Sequence, residues 1–432
     1  MIALAYLTLT ALALPAMAAC AYLFLLTLLS ARLPVPARSS RLLRFDVIVP
    51  AHNEAAVIER CLASLRKLDW PPERLRLLVV ADNCDDATAR LARAVGAQVL
   101  ERHDATLRSK GYALRHAFGY SGESNWADAV VVVDADTEVS GNLLEAFAAR
   151  IEAGAFAVQA HYGVLNPAES WRTGLIAIAH GAFHGVRSRA RERLRLSCGL
   201  RGNGWCVTQR VLHDVPYRAF SVTEDLEYGI ALGLAGYRVQ YAGEAHADAY
   251  MESSEKIARR QRQRWEDGRI DLIRSQAVPL LRAAVQRRSR VCLDLALDLL
   301  VLPLSYIALN VAALIAAAAL ASLWHASLRG WLWPGAVSAA CLLLYVLRGW
   351  QLSGRGAAGL VDLLRAPFFI LWKMRLLLRR HDRHEWVPTQ RRATAGLPVP
   401  SSALEPPVRR QTIAGLPVPS SALERPVRRK IP

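Results

Sequence analysis

Ala-Val-Val-Val-Val-Asp-Ala-Asp, residues 129–136, is the stretch whose reading decides the fold of this chain. A β-branched run too short for a helix, ending abruptly in acids, reads as a buried strand that delivers carboxylates to a sheet edge. The same pattern occurs twice upstream. Phe45–Val49 runs into Pro50-Ala51-His52-Asn53-Glu54, and Leu75–Val80 runs into Ala81-Asp82-Asn83-Cys84-Asp85-Asp86. Helical stretches such as Ala55–Leu68 lie between them. Strands alternating with helices predict an α/β domain over residues 45–275 with a mostly parallel sheet, and such sheets bind ligands beyond the carboxyl ends of their strands. The residues that follow each strand are therefore the candidates for chemistry.

Asp134 and Asp136 leave their strand at i and i+2, on one side, and can share a hard cation such as Mg²⁺ or Mn²⁺, with phosphate oxygens and water completing its shell. A single strand-end acid is as often a turn former; three acidic strand ends on one edge favour a site. No Lys or Arg adjoins these two acids in the sequence, so a metal is expected to neutralise them. Neither G-x-x-x-x-G-K-S/T nor G-x-G-x-x-G follows a strand, so a kinase, ATPase or dehydrogenase lacks its phosphate cradle. Downstream come Thr223-Glu224-Asp225, preceded by Arg201-Gly202-Asn203-Gly204, and then Gln261-Arg262-Gln263-Arg264-Trp265 in a basic stretch. On a helix Gln261, Arg264 and Trp265 share a face. An amide, a guanidinium fork and an indole side by side suit a diphosphate and a flat sugar ring. Lys256, Arg259, Arg260 and Arg262 read instead as a basic face at a membrane surface.

The whole chain has 432 residues and a formal charge of +17, yet is 53% hydrophobic and only 21% charged. That pairing excludes a disordered basic protein. Seven scattered cysteines without a C-x-x-C exclude a disulfide scaffold and a zinc ribbon. Residues 1–31 carry no charge, which exceeds the ~20 apolar positions of a membrane span, and they lack the basic start of a cleavable signal peptide. Two more uncharged runs cover 299–323 and 330–347. Arg32, Arg38, Arg41 and Arg44 follow the first run, Arg348 and Arg355 follow the last, and only Arg329 lies in the connector. Basic flanks stay inside, so the central region and C-terminus are expected to be cytoplasmic, on a multi-pass protein of the cell (inner) membrane. The expected organisation is a transmembrane helix at 1–31, the central domain at 45–275, two transmembrane helices within 291–348 and an interfacial amphipathic helix at 356–380. A basic Pro-rich disordered tail at 390–432 follows, in which Ala395–Glu405 recurs as Ala414–Glu424 with a 19-residue period. From Lys373 onward 13 basic residues face 4 acidic ones, an arm suited to anionic membrane lipids and not to nucleic acid.

In order and content these motifs resemble family 2 glycosyltransferases, within them the membrane-embedded branch of cellulose, hyaluronan and poly-N-acetylglucosamine synthases. Ceramide glucosyltransferase is a more distant likeness. The resemblance covers roughly Phe45 to Trp265, and Thr-Glu-Asp combined with Q-x-x-R-W is its most specific part. It implies a GT-A-type, Rossmann-like catalytic domain, a nucleotide-sugar donor (UDP-linked), Mg²⁺ or Mn²⁺, and inversion at the anomeric carbon. Carried over, Glu54 and Asp82 contact the nucleoside and Lys110, in Ser109-Lys110-Gly111, lies near the nucleotide. Asp134 and Asp136 hold metal and diphosphate, and Asp225 is the general base with Glu224 beside it. Gln261 and Arg264 bind the diphosphate, and Trp265 the acceptor sugar. The family's usual double Asp after the second strand is here Ala81-Asp82.

The implied acceptor is a glycan or a lipid-linked molecule. Three spans are few for a polymer-export pore unless chains associate as a homo-oligomer or with polysaccharide-export partners, whereas Q-x-x-R-W is common in processive members. The competing reading is a catalytically degenerate membrane scaffold of a polysaccharide-synthesis complex, which has no reason to keep convergent carboxylates. His180 and His184 have a zinc-like spacing but no third ligand, and read as helix packing or cleft lining. Cys198 and Cys206 read as reduced and structural, and His246 as a loop residue or part of the acceptor cleft.

Overall fold

The computed structural model describes residues 2–252 and 255–370, the side chains of 255–263 excepted. Its sheet has eight strands: β1 (Phe45–Ala51), β2 (Leu75–Asp82), β3 (Gln98–Arg102), β4 (Ala129–Val132), β5 (Thr137–Val139), β6 (Ala157–Val164), β7 (Trp205–Thr208) and β8 (Val239–Ala249). Their spatial order is β3-β2-β1-β4-β7-β6-β8-β5. The three runs singled out in the sequence are neighbours, β1 pairing in parallel with both β2 and β4. Val47, Ile48, Val49, Leu78, Val79, Val80 and Val130–Val132 are fully buried, because helices cover both faces of this half. Asp46 is also buried within β1, where Arg76 grips both its oxygens at 2.7 Å and Ser121 donates a third hydrogen bond.

The sheet departs from the mostly parallel expectation. β7 is antiparallel to both β4 and β6, and β5 is antiparallel to β8. In the connection from β6 to β7, the helices within residues 171–193 pack largely against the apolar helices of the chain. A parallel return requires a crossover connection packed on the sheet, whereas an antiparallel one does not.

Three helices are long and apolar enough to cross a membrane, Ile2–Leu28, Leu304–Trp324 and Ala326–Leu352. Cys20, Leu23, Val311 and Leu342 form part of a shared apolar core that also takes in Ala182 and Val186. The last two belong to a widened helical turn, Gly181–Val186, that follows the helix Trp171–His180. Its approach to the third apolar helix needs small residues, since a Cβ on Gly181 would lie 2.2 Å from the Gly349 carbonyl oxygen. Pro303 starts the second of these helices at Leu304, later than the run from 299 implied.

Residues 290–303 therefore lie outside the three candidate spans. Arg290–Leu300 is a separate helix packed against Glu255–Gln286, which itself runs through the domain boundary expected at 275. Asp294 and Asp298, four apart on that helix, are buried. Arg187 and Arg191 meet Asp298 at 2.9 and 2.7 Å, and Tyr22 of the first apolar helix donates to Asp294 at 2.8 Å. Of the expected interfacial helix, Gly356–Leu364 is helical and its buried Asp362 pairs with Arg355 at 2.8 Å, while 371–380 and the repeat-bearing tail lie outside the described residues.

Asp298→Asn removes the carboxylate these guanidiniums share and leaves them buried without it. Breaking such a pair costs roughly 3–5 kcal/mol, and a thermal-shift measurement on purified protein should register a clear drop in Tm; an unchanged Tm would contradict the pairing.

Candidate active site

The carboxyl ends of β1, β2 and β4 open on one cavity of about 840 Å³. Nine of the ten residues selected from the sequence line it: Glu54, Asp82, Lys110, Asp134, Asp136, Glu224, Asp225, Arg264 and Trp265. The tenth, Gln261, lies on the helix Glu255–Gln286, with its side chain outside the described residues.

Each side chain is delivered by a short, specific device. Asn53 and Asn83 take left-handed backbone conformations (φ 55° and 53°) where β1 and β2 end, a turn Asn tolerates better than most residues. Asp86 fastens the loop, accepting from the backbone N–H of Thr88 at 2.8 Å and of Ala55 at 3.1 Å. Asp82 lines the cavity with one oxygen held by Arg102 at 2.5 Å. Thr223 precedes the helix Glu224–Leu234, so Glu224 and Asp225 occupy its first turn, where the helix dipole favours negative charge.

Lys110 corrects the expectation that Asp134 has no basic neighbour. Its Nζ lies 2.6 Å from Asp134 Oδ1 and 3.3 Å from Glu224 Oε1, and it donates to the Gly202 carbonyl at 2.8 Å. The sequence hides this because the three segments meet only in the folded chain. Lys110 opens the helix Lys110–Ser124, and Gly111 lets that helix start against the backbone: a Cβ there would sit 2.2 Å from the Ala219 carbonyl oxygen. Burial alone would lower the Lys110 pKa, but Asp134 and Glu224 outweigh it and the ammonium is held firmly protonated. Burial raises the carboxyls of Asp134, Glu224 and Asp225, with Lys110 opposing the rise in all three.

Two supports were not visible in the sequence. Buried Asn203 accepts from the Asp134 backbone N–H at 3.0 Å and donates to Thr137, which fixes the acidic turn. Buried Gln159, on β6, accepts from the Arg201 N–H at 2.8 Å and donates to the Asn203 carbonyl at 2.7 Å, stapling the 201–204 loop. A lone Gln in a strand gives no signal, although the loop itself stood out by its glycines. That loop reaches Asp225: a Cβ on Gly202 would lie 3.6 Å from its Oδ2.

Asp134 and Asp136 offer oxygen donors only, the donor chemistry of Mg²⁺ and Mn²⁺. Among the described residues no three His, Cys, Asp or Glu side chains gather around one metal position, so an ion there fits only if diphosphate and water complete its shell. His180 and His184 line the cavity wall with ring centroids 4.7 Å apart, and burial holds His184 well below its usual pKa. His246 is part of β8 and packs on His161 at 5.0 Å, outside the cavity lining. Cys198 and Cys206 are buried free thiols.

Residues 44–268 match the family described as "Glycosyltransferase like family 2". The chain is 25% identical over 234 residues to the probable glycosyltransferase YdaM of Bacillus subtilis (strain 168), covering 52% of this chain and 55% of that one. It is 27% identical over 233 residues to the beta-monoglucosyldiacylglycerol synthase of Synechocystis sp., covering 51% and 47%. A shorter match, 27% over 110 residues, is to the UDP-forming cellulose synthase 1 catalytic subunit of Komagataeibacter xylinus, covering 24% and 14%. The chain thus spans about half the length of the first two relatives and a smaller part of the third. Among solved structures, the mannosyltransferase PcManGT from Pyrobaculum calidifontis in complex with GDP-Man and Mn²⁺ has 20% identity and a TM-score of 0.48, covering 78% of this chain and 98% of that one.

Lys110→Met leaves Asp134 and Glu224 facing each other without their cation, a loss smaller than the roughly 3–5 kcal/mol of a fully buried pair because Lys110 and Asp134 remain 27% and 29% exposed. Protonation relieves it. Both carboxyls already have raised pKa values, and the variant raises them further, so folding of the variant takes up protons and its stability increases as pH falls. The Tm gap between variant and wild type should therefore narrow from about pH 8 to about pH 5; a gap that is constant or widens would contradict the triad.

Proposed function

The chain belongs to the glycosyltransferase like family 2, and on that premise we propose that it transfers a sugar, with inversion, from a UDP-linked nucleotide sugar to a glycan or lipid-linked acceptor. The site would lie at the inner face of the cell membrane, in polysaccharide or glycolipid synthesis. The observation that carries this reading is the meeting in one cavity of Asp225 with Lys110, Asp134, Asp136 and Arg264.

Inverting transfer needs a base for the acceptor hydroxyl and positive charge for the departing diphosphate. Asp225 is suited to the first task. It is partly buried, which raises its proton affinity, and it lines the cavity beside the 201–204 loop. Arg264 and Lys110 suit the second, Arg264 as an exposed fork at the cavity mouth and Lys110 as a fixed ammonium. Glu54 and Asp82 stand where a nucleoside would enter, and the half-exposed Trp265 offers an indole face to the acceptor sugar. Glu224 shares Lys110 with Asp134 and so positions that ammonium. Bound between Asp134, Asp136 and the diphosphate, Mg²⁺ or Mn²⁺ would neutralise charge on the leaving group. The name of the UDP-forming cellulose synthase relative supports a UDP-linked donor. The convergent charged cavity weighs against a catalytically degenerate scaffold.

Asp225→Asn keeps shape but cannot take the proton. Its turnover number, read as nucleoside diphosphate released from a panel of nucleotide sugars, should fall by roughly 10²-fold or more, while the Kd for UDP moves by less than about threefold. The base works only when deprotonated and its pKa is raised, so wild-type activity should be lost on acidification at a pH above the ~3.9 of an ordinary Asp. Near-normal turnover in Asp225→Asn would remove Asp225 from the base role. Excess chelator should stop turnover; turnover that persists would count against a metal at Asp134 and Asp136. For topology, a cysteine placed at Ser327 should react from outside the cell and a reporter fused after Leu378 should read cytoplasmic, and the reverse pattern would overturn the orientation.

A further inference from the structure

The same cavity has a second charged wall, which the catalytic reading leaves unused. Arg187, Arg201 and Arg269 line it, and a fourth guanidinium, Arg191, lies directly behind. Arg201 reaches Asp298 at 3.3 Å and Arg191 reaches Asp294 at 2.9 Å, while Arg269 is spent on the carbonyls of Leu299 and Val301 at 3.2 and 2.9 Å. Three guanidiniums, Arg187, Arg191 and Arg201, therefore share two carboxylates, Asp294 and Asp298, and Arg269 meets backbone carbonyls alone. The Nε atoms of Arg201 and Arg269 are buried with no hydrogen-bond partner, and Arg201 as a whole is only 5% exposed. A buried guanidinium N–H that finds no acceptor is costly, and an anion entering the cavity would supply one.

The surroundings say what kind of anion. Leu175, Ile176, Phe183, Leu302 and Leu304 share this cavity, so the guanidiniums sit beside a hydrocarbon wall where the apolar helices begin. A free inorganic ion would leave that wall bare, whereas an amphiphile fills both parts. Arg201 is also next in sequence to Gly202, whose loop reaches Asp225.

We propose that Arg187, Arg201 and Arg269 bind the phosphate of an anionic lipid acceptor whose chains lie along the Leu175–Ile176 and Leu302–Leu304 wall, with a headgroup hydroxyl towards Asp225. The role as acceptor rests on the proposed function, but binding of the lipid does not. In the transfer, the headgroup oxygen bonds to the anomeric carbon and its proton passes to Asp225. The bond from that carbon to the diphosphate breaks, and its electron pair leaves with the nucleoside diphosphate.

The test is native mass spectrometry of the full chain in detergent, titrated with dioleoylphosphatidylglycerol, dioleoylglycerol or inorganic phosphate. Phosphatidylglycerol should be retained at least about tenfold more strongly than the neutral lipid. Arg201→Gln should cut that preference by roughly fivefold or more, and Arg269→Gln, at a half-buried position, provides the same reading if the first variant folds poorly. In the folded variant the UDP dissociation constant should stay within about threefold, as a lost donor site would not allow. Equal retention of the two lipids, a preference unchanged in both variants, or binding of inorganic phosphate without any lipid preference would overturn the assignment. Failure of the glycosyltransferase reading shows separately, as no nucleoside diphosphate released from any nucleotide sugar.

Discussion

Lys110 is the charge around which the cavity is built. Three carboxylates, Asp134, Glu224 and Asp225, are brought from two distant parts of the chain into one cavity, and carboxylates so crowded and partly buried repel one another and resist ionisation. A single ammonium 2.6 Å from one and 3.3 Å from the next makes the arrangement tolerable. Around it the rest follows as positioning: Gly111 lets the helix bearing Lys110 close up, Asn203 holds the Asp134 turn, and Gln159 holds the loop whose carbonyl accepts from Lys110. The acids stay charged enough to bind or to take a proton, and they stay where the strands put them.

A second electrostatic node ties this site to the apolar helices. Asp294 and Asp298 draw together arginines from the helix after the widened turn, Arg187–Arg193, and from the 201–204 loop, and Tyr22 reaches the same node from the first apolar helix. One loop therefore belongs to both nodes, with Arg201 turned to Asp298 and Gly202 to Lys110 and Asp225. Through it, the acidic cluster and the arginine-lined wall of the cavity are joined.

Much of this could be read from the chain alone, for a physical reason. Strands buried on both faces write themselves as unbroken β-branched runs, and the residues after them must lie at one sheet edge, so Glu54, Asp82, Asp134 and Asp136 could be grouped before any coordinates. The helix-opening acids Glu224 and Asp225 and the pair Arg264 and Trp265 entered through their motif. What stayed hidden depends on tertiary meetings. Lys110 has no acid near it in sequence, Gln159 and Asn203 act through hydrogen bonds between segments 40 or more positions apart, and the antiparallel turn of β7 goes with the packing of residues 171–193 on an apolar surface. In sequence, the helix Arg290–Leu300 reads as part of a span because its leucines resemble one. Its two aspartates, four apart, and Pro303 were the marks of a separate buried helix.

The most direct measurement is a cryo-EM structure of the full chain with UDP and Mn²⁺. The account predicts nucleotide in the cavity, its uridine towards Glu54 and Asp82 and its diphosphate between Asp136 and Arg264, with Asp225 left open to an acceptor. Nucleotide bound elsewhere on the chain, or lying across Asp225 with its diphosphate away from Asp136, would contradict it.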